Sequence, residues 1–228
     1  VILMDHKGQS FIASFDKSTG ETTWKTDRDT STAWSSPLVI VRNGAIEIVT
    51  SGSGLYAAYD PGTGAMIWSH EGLDGNNVPS PSTDGSIFLV GSRKKGANVA
   101  LKLEGRRIKQ AWVAEEATSA FGSPLIHGGR AYYVTDAGIV YCYRAKTGEP
   151  LWDARTGDST WASPLAAGDK IYFFGKGGKT TVIAASDEYR VIAENTIEVD
   201  AKDRVYGYAA ADGQFVFRLG SQLVSITH

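Results

Sequence analysis

Short apolar runs separated by turn residues dominate the chain, and none shows helical periodicity. The segment from Leu38 to Tyr59 sets the pattern. Leu38 to Val41 is an apolar run, which predicts a buried strand. Asn43-Gly44 follows, a pair that tolerates positive φ at both turn positions and so closes a hairpin. Ala45 to Thr50 predicts a second strand and Gly54 to Tyr59 a third. Asp60-Pro61-Gly62-Thr63-Gly64 then predicts a tight turn in which Asp caps free amides, Pro presets φ and Gly supplies a left-handed residue. Ala65 to Ser69, carrying Trp68, predicts a fourth strand. The other hairpin positions hold Asp84-Gly85, Gly128-Gly129, Gly168-Asp169 and Asp212-Gly213. Ala111 to Ala120 is the best helical stretch, but its Trp112 falls on the period described next, which predicts strand plus loop.

The pattern repeats. Ser-Pro closes the same motif in Trp34-Ser35-Ser36-Pro37-Leu38, Val78-Pro79-Ser80-Pro81-Ser82, Phe121-Gly122-Ser123-Pro124-Leu125 and Trp161-Ala162-Ser163-Pro164-Leu165, with successive prolines 40–44 residues apart. A degenerate fifth copy, Tyr206-Gly207-Tyr208-Ala209-Ala210, has Ala209 in the proline slot. A second motif, Phe15-Asp16-Lys17-Ser18-Thr19-Gly20-Glu21-Thr22-Thr23-Trp24, recurs from Tyr59 to Trp68 and from Tyr143 to Trp152. A worn copy with Leu103-Glu104-Gly105-Arg106-Arg107 at its turn ends at Trp112. Four short antiparallel strands per period of this length are the sequence signature of a propeller blade. One blade cannot bury both faces alone, so the indole on each outer strand is expected to lie largely buried against the neighbouring blade.

These quoted motifs resemble the tryptophan-docking repeat of the quinoprotein-like propeller family. That family includes the PQQ-dependent quinoprotein alcohol dehydrogenases. It also includes non-catalytic propellers built from the same repeat, among them the lipoprotein subunit of the bacterial outer-membrane β-barrel assembly machinery. The resemblance covers essentially the whole chain. The expectation is an all-β propeller of four-stranded antiparallel blades, a single domain over residues 1–228. Six blade-like units are expected: Val1 to Lys25 supplies three strands without the Ser-Pro strand, and Tyr206 to Thr227 three strands without the Trp strand. An open arc is favoured over a closed ring, and the strand-like opening Val1-Ile2-Leu3-Met4 reads as a chain truncated at its N-terminus. WD-type propellers fit less well, because Trp152-Asp153 is the one such dipeptide and its Gly-His partner is missing.

Composition narrows the function. A chain of 228 residues with 42% hydrophobic positions is long enough for a sizeable core. The net charge of -2 points to no nucleic-acid partner. The basic run Arg93-Lys94-Lys95 reads as a solvated hairpin tip. No apolar run approaches the ~20 residues of a membrane span, and no signal peptide is visible, which leaves room for lipid anchoring through sequence upstream of Val1. Cys142 is the single cysteine, so no internal disulfide can form.

That cysteine also bears on chemistry. The resemblance implies, for the catalytic members, PQQ held with calcium beneath a disulfide between adjacent cysteines and beside an acidic base. A lone Cys142 cannot form that disulfide, and Asp16 and Asp60 belong to turns. His6, His70, His127 and His228 show no paired metal-ligand spacing. The serines of the Ser-Pro motif recur in every good copy and belong to the repeat rather than to nucleophilic catalysis. Gly175-Lys176-Gly177-Gly178-Lys179-Thr180 looks like a phosphate loop, but it joins two strands and no helix follows. The expectation is therefore no enzyme and no cofactor: a binding or scaffold propeller of the bacterial cell envelope, in the periplasm or at the cell surface, with a protein or peptide partner. The alternative is a partial or degenerate PQQ-dependent dehydrogenase.

One set of residues stands out as a candidate surface. Three positions before each proline slot lie Trp34, Val78, Phe121, Trp161 and Tyr206. In a propeller the first strand of each blade lines the central channel, so these side chains are expected near one channel mouth. Two readings remain open: a second packing layer between blades, or a shared aromatic surface for an extended peptide, a sugar or a planar ligand. On the second reading the small residues that follow, Ser35, Gly122, Ala162 and Gly207, leave room for the ligand.

Overall fold

The computed structural model describes residues 1–105, 107–200 and 202–227; Arg106 of the worn turn, Ala201 and His228 lie outside the described residues. Six antiparallel sheets follow one another along the chain. The first holds β1 (Ile2–Met4), β2 (Ser10–Phe15) and β3 (Thr22–Arg28). The second holds β4 (Leu38–Arg42), β5 (Ala45–Gly52), β6 (Leu55–Tyr59) and β7 (Met66–Glu71). The third holds β8 (Ser82–Thr83), β9 (Ile87–Val90), β10 (Val99–Glu104) and β11 (Arg107–Val113). The fourth holds β12 (Leu125–His127), β13 (Arg130–Val134), β14 (Ile139–Arg144) and β15 (Pro150–Arg155). The fifth holds β16 (Leu165–Ala167), β17 (Lys170–Phe174), β18 (Lys179–Ala184) and β19 (Val191–Thr196). The sixth holds β20 (Val205–Ala211), β21 (Gln214–Leu219) and β22 (Gln222–Ile226). Strands pair in sequence order within every sheet, the succession of a β-propeller. The described residues contain no helix, and so none long and apolar enough to cross a membrane.

The turns follow from their residues. Asn43 (φ 51°) and Gly44 (φ 79°) both take positive φ, as do Asp212 and Gly213, and each pair closes a two-residue hairpin. Asp84-Gly85 does not: Asp84 Oδ1 accepts from the amides of Ser86 and Ile87 and holds a longer loop. In the recurring tight turn, Asp60 Oδ1 accepts from Gly62 N and Thr63 N, and Asp16 Oδ1 from Ser18 N and Thr19 N. The Thr63 hydroxyl and then the amides hold the Asp60 carboxyl below the ordinary carboxylate value, and the Thr19 and Ser18 amides do the same for Asp16. Gly175 to Gly178 is a hairpin between β17 and β18, closed by Gly175 N to Lys179 O at 2.7 Å.

The core lies between sheets. Five apolar clusters each join two consecutive sheets, so each of the first five sheets buries a face against its successor. Between the second and third, Trp68 stacks on Tyr56 and meets the edge of Phe88. Trp68 is 4% exposed and donates through Nε1 to Glu47 Oε2. Trp24, Trp112 and Trp152 depart from the expectation: each is half-buried. They lie on outermost strands, and their Nε1 groups donate to Pro61 O, Ala145 O and Ser186 O respectively, on turns of the following sheet. Each also packs against the apolar cluster that joins its sheet to the next, and the Trp24 and Trp112 rings fill the space beside Gly64 and Gly148 of the following sheet.

Two further contacts tie sheets together. The Ser36 amide donates to Ser80 Oγ, the Ser80 amide to Ser123 Oγ, and the Ser123 amide to Ser163 Oγ, all at 2.9 Å. Between the first two sheets Arg28 forms a buried bidentate pair with Asp5 and also donates to Thr50 Oγ1 and Tyr59 Oη. The first sheet has no strand in the place that β4 occupies in the second. The β4 side facing it is consequently uncovered, leaving Val39, Val41 and Ile46 exposed. No ladder joins the first sheet to the sixth among the described strands.

Candidate functional site

Trp34, Val78, Phe121 and Trp161 sit where the chain crosses from the outer strand of one sheet to the inner strand of the next, whereas Tyr206 lies within β20, at a register shift between Val205 and Gly207. Proline follows at a point where no amide is needed for a ladder. Serine at the preceding position is committed to the inter-sheet bonds above. Trp34, Phe121, Trp161 and Tyr206 are 66%, 47%, 38% and 48% exposed, and Val78 is half-buried. Three rings form a continuous run: Phe121 and Trp161 meet edge-on with centroids 6.0 Å apart, and Trp161 and Tyr206 are 6.2 Å apart. Trp34 lies apart from that run. It shares with Phe121 a cleft of ≈ 370 Å³ also lined by Asn77, Val78, Arg93, Ala120 and Asp136, and its amide donates to Asn77 O at 2.7 Å.

The small neighbours do something other than leave room. A Cβ on Gly122 would lie 2.8 Å from Ala162 O and 3.2 Å from Val134 Cγ1, and the Ser35 hydroxyl donates to Ser51 O. Gly122 and Ser35 thus face the protein, and at Gly122 a small residue is what lets one crossover approach the next. Gly207 alone stands free, with nothing near its missing side chain.

Cations flank the rings, a feature the sequence did not show because they come from other strands and loops. Lys176 Nζ stands 4.5 Å from the centre of the Trp161 ring, and Arg218 Cζ 5.7 Å from that of Tyr206. The backbone fixes Lys176: its amide donates to Ser159 O at 2.7 Å and its carbonyl accepts from Val205 N at 3.0 Å. Asp158 Oδ2 accepts from Gly177 N at 2.7 Å, and a Cβ on Gly175 would lie 2.2 Å from the same oxygen. This glycine-rich loop is therefore shaped around Asp158 and presents Lys176.

Candidate chemistry elsewhere is sparse. Among the described residues no three His, Cys, Asp or Glu side chains gather as a metal-binding group. Cys142 is buried on β14, and burial pushes its thiol up to about 12, far from a reactive thiolate.

The sequence family described as the outer membrane protein assembly factor BamB matches residues 8–122 and again 109–222, almost the entire chain. The chain belongs to this family of PQQ-like propellers. Among solved structures, BamB from Moraxella catarrhalis superposes with a TM-score of 0.64 at 19% identity, over 99% of this chain and 61% of that one. Sqt1 of Saccharomyces cerevisiae superposes with a TM-score of 0.70 at 11% identity, over 99% and 68%. Both likenesses establish the propeller fold. The chain spans about three fifths of the Moraxella protein. Among curated protein sequences none matches it.

Proposed function

We propose that this chain is a non-catalytic scaffold of the bacterial envelope that binds protein segments through the aromatic arc of Trp34, Phe121, Trp161 and Tyr206. The observation that carries this reading is the exposure of those four side chains at the matching repeat position in four of five units, the third unit holding half-buried Val78 there. Large aromatics that contribute only to a core are covered, whereas uncovered, rigid, amphipathic rings are the usual anchors of interfaces. Membership of a family described as an outer-membrane protein assembly factor supports an envelope role and a protein partner. Attachment to the membrane, on this reading, is by a lipid outside these residues.

The test uses the full-length protein in a bacterium lacking it. Wild-type protein should restore the normal outer-membrane level of β-barrel proteins. Trp34→Ala combined with Trp161→Ala should fail to do so while accumulating to the same amount and melting only a few degrees lower. Full restoration by that variant would remove the arc from the function.

A further inference from the structure

We propose that the arc takes an extended peptide whose alternate side chains, those on the face turned to the arc, include both acidic and apolar residues. This rests on the arc being a binding surface and specifies its occupant. Two observations carry it. The first is spacing. Successive rings from Phe121 to Trp161 to Tyr206 are 6.0 and 6.2 Å apart. Side chains on one side of an extended chain recur about every 6.6 Å, so alternate residues of a strand meet successive positions of the arc.

The second is charge. Lys176 and Arg218 stand beside Trp161 and Tyr206, and Arg93 beside Trp34 and Phe121. Among the described residues none of these three cations has a carboxylate within ion-pair distance. The nearby basic residues Lys94 and Lys95 differ, being paired with Asp74 and Glu116. Carboxylates also lie close to the arc, and the amide bonds they accept leave their charge in place. Asp158 holds the Gly177 amide and Asp203 the Arg204 amide, and Asp136 is the acid that shares the cleft with Arg93. At Trp161 and Tyr206 the groups that stand over the rings are the cations Lys176 and Arg218. An acidic side chain reaching Lys176 or Arg218 supplies the missing counter-charge, while apolar ones seat on Trp34 and Phe121. Because the Lys176 backbone is already fixed, little ordering is needed on binding.

Fluorescence anisotropy with synthetic probes tests this on the purified protein. The probe is a labelled peptide of about eight residues in which Phe and Glu take turns at every second position, with Ser between them, so that both kinds share one face. It should bind, and raising salt from about 50 to about 300 mM should weaken it several-fold. The matching peptide with Lys for Glu should bind at least about tenfold more weakly. Lys176→Gln combined with Arg218→Gln should weaken the Glu peptide by about tenfold with an unchanged melting temperature, and the salt series on wild-type protein gives an answer even if that variant folds poorly. Equal binding of the two peptides, salt-independent binding, or binding of a neutral glucan hexamer in place of the Glu peptide would each overturn the proposal. In cells, restoration by Lys176→Gln/Arg218→Gln alongside failure of Trp34→Ala/Trp161→Ala would leave the arc's function standing and remove the acidic partner alone.

Discussion

The amide of Ser80 donates to the hydroxyl of Ser123 across the boundary between the third and fourth sheets, at 2.9 Å. The same bond joins Ser36 to Ser80 and Ser123 to Ser163. Each hydroxyl serves the amide of the preceding unit, so the roles are unequal: Ser80, Ser123 and Ser163 accept across a boundary, whereas Ser36 only donates its amide. Ser123→Ala leaves the part-buried Ser80 amide without its acceptor and should cost about 1–2 kcal/mol. Ser36→Ala keeps both ends of its bond and should be near neutral. Thermal melting of the two variants separates them, and equal destabilisation would show that the hydroxyls matter only within their own units.

Trp68 is the most deeply placed of the four repeated tryptophans. It lies between Tyr56 and Phe88, and its indole N–H satisfies Glu47, itself 3% exposed. Trp68→Ala opens a cavity and leaves a buried carboxylate short of a donor, so a loss of about 3–5 kcal/mol is expected. Trp24, Trp112 and Trp152 are half-buried and should each cost less on truncation. Chemical denaturation of the four single variants gives the order, with Trp68→Ala the least stable.

The repeat was legible because its signals are stereochemical. Proline, Asn-Gly, the Asp-Gly turns and tryptophan at fixed spacing mark strand ends without any knowledge of what packs against them. The incomplete first and last units were read from the same marks. What the sequence hid depends on neighbours brought in by register. Lys176 reaches Trp161 and Arg218 reaches Tyr206 from separate strands and loops, and no spacing rule links those pairs. Gly122 looked like room for a ligand, and only the closeness of Ala162 O shows that it serves packing. Half-burial of Trp24, Trp112 and Trp152 was likewise invisible, because a period says which strand a residue occupies and not how far the next sheet covers it. The Arg28–Asp5 pair, buried at both ends, had no mark at all.

Acid should act through the turn aspartates. Backbone amides hold Asp16, and the Thr63 hydroxyl followed by backbone amides holds Asp60, below their ordinary value of 3.8. A carboxyl whose folded value is depressed contributes its stability above the unfolded value and loses it as pH falls through the folded one. The contribution of Asp60 is therefore complete at neutral pH, begins to fall near pH 3.8 and is lost as pH drops through the lower folded value. Asp60→Ala should lower the melting temperature at pH 7, and the gap from wild type should close as pH drops below that value. A gap of constant size from pH 7 to pH 3 would mean that the turn gains nothing from the charge.

Purified chain mixed with PQQ and calcium addresses the dehydrogenase reading directly. A cofactor bound to the folded state raises the melting temperature by mass action, by about 2.7 kcal/mol of stability at a hundredfold excess over its dissociation constant. Cys142 is alone and buried, so the disulfide that the catalytic relatives place over the cofactor cannot be built here. No shift is expected, and a saturable one would return the enzyme reading to first place.

The arc gives the sharpest separation between packing and recognition. Were Trp34, Phe121, Trp161 and Tyr206 a second packing layer, removing any of them would destabilise the fold in proportion to buried area. Trp34 is two-thirds exposed and belongs to none of the five apolar clusters. Trp34→Ala should change stability by less than about 0.5 kcal/mol, the range of surface substitutions. Trp161 differs because it touches Phe121, Tyr206 and Lys176. Its truncation breaks the run of rings and frees Lys176, and should cost about 1 kcal/mol from lost ring and cation contacts. Recognition predicts the reverse ranking of consequences: small stability losses at both sites but loss of partner binding at each. Denaturation curves and binding titrations on the same two preparations decide it. A Trp34→Ala variant that melts several degrees lower while binding as tightly as wild type would assign the arc to packing and withdraw it as a site.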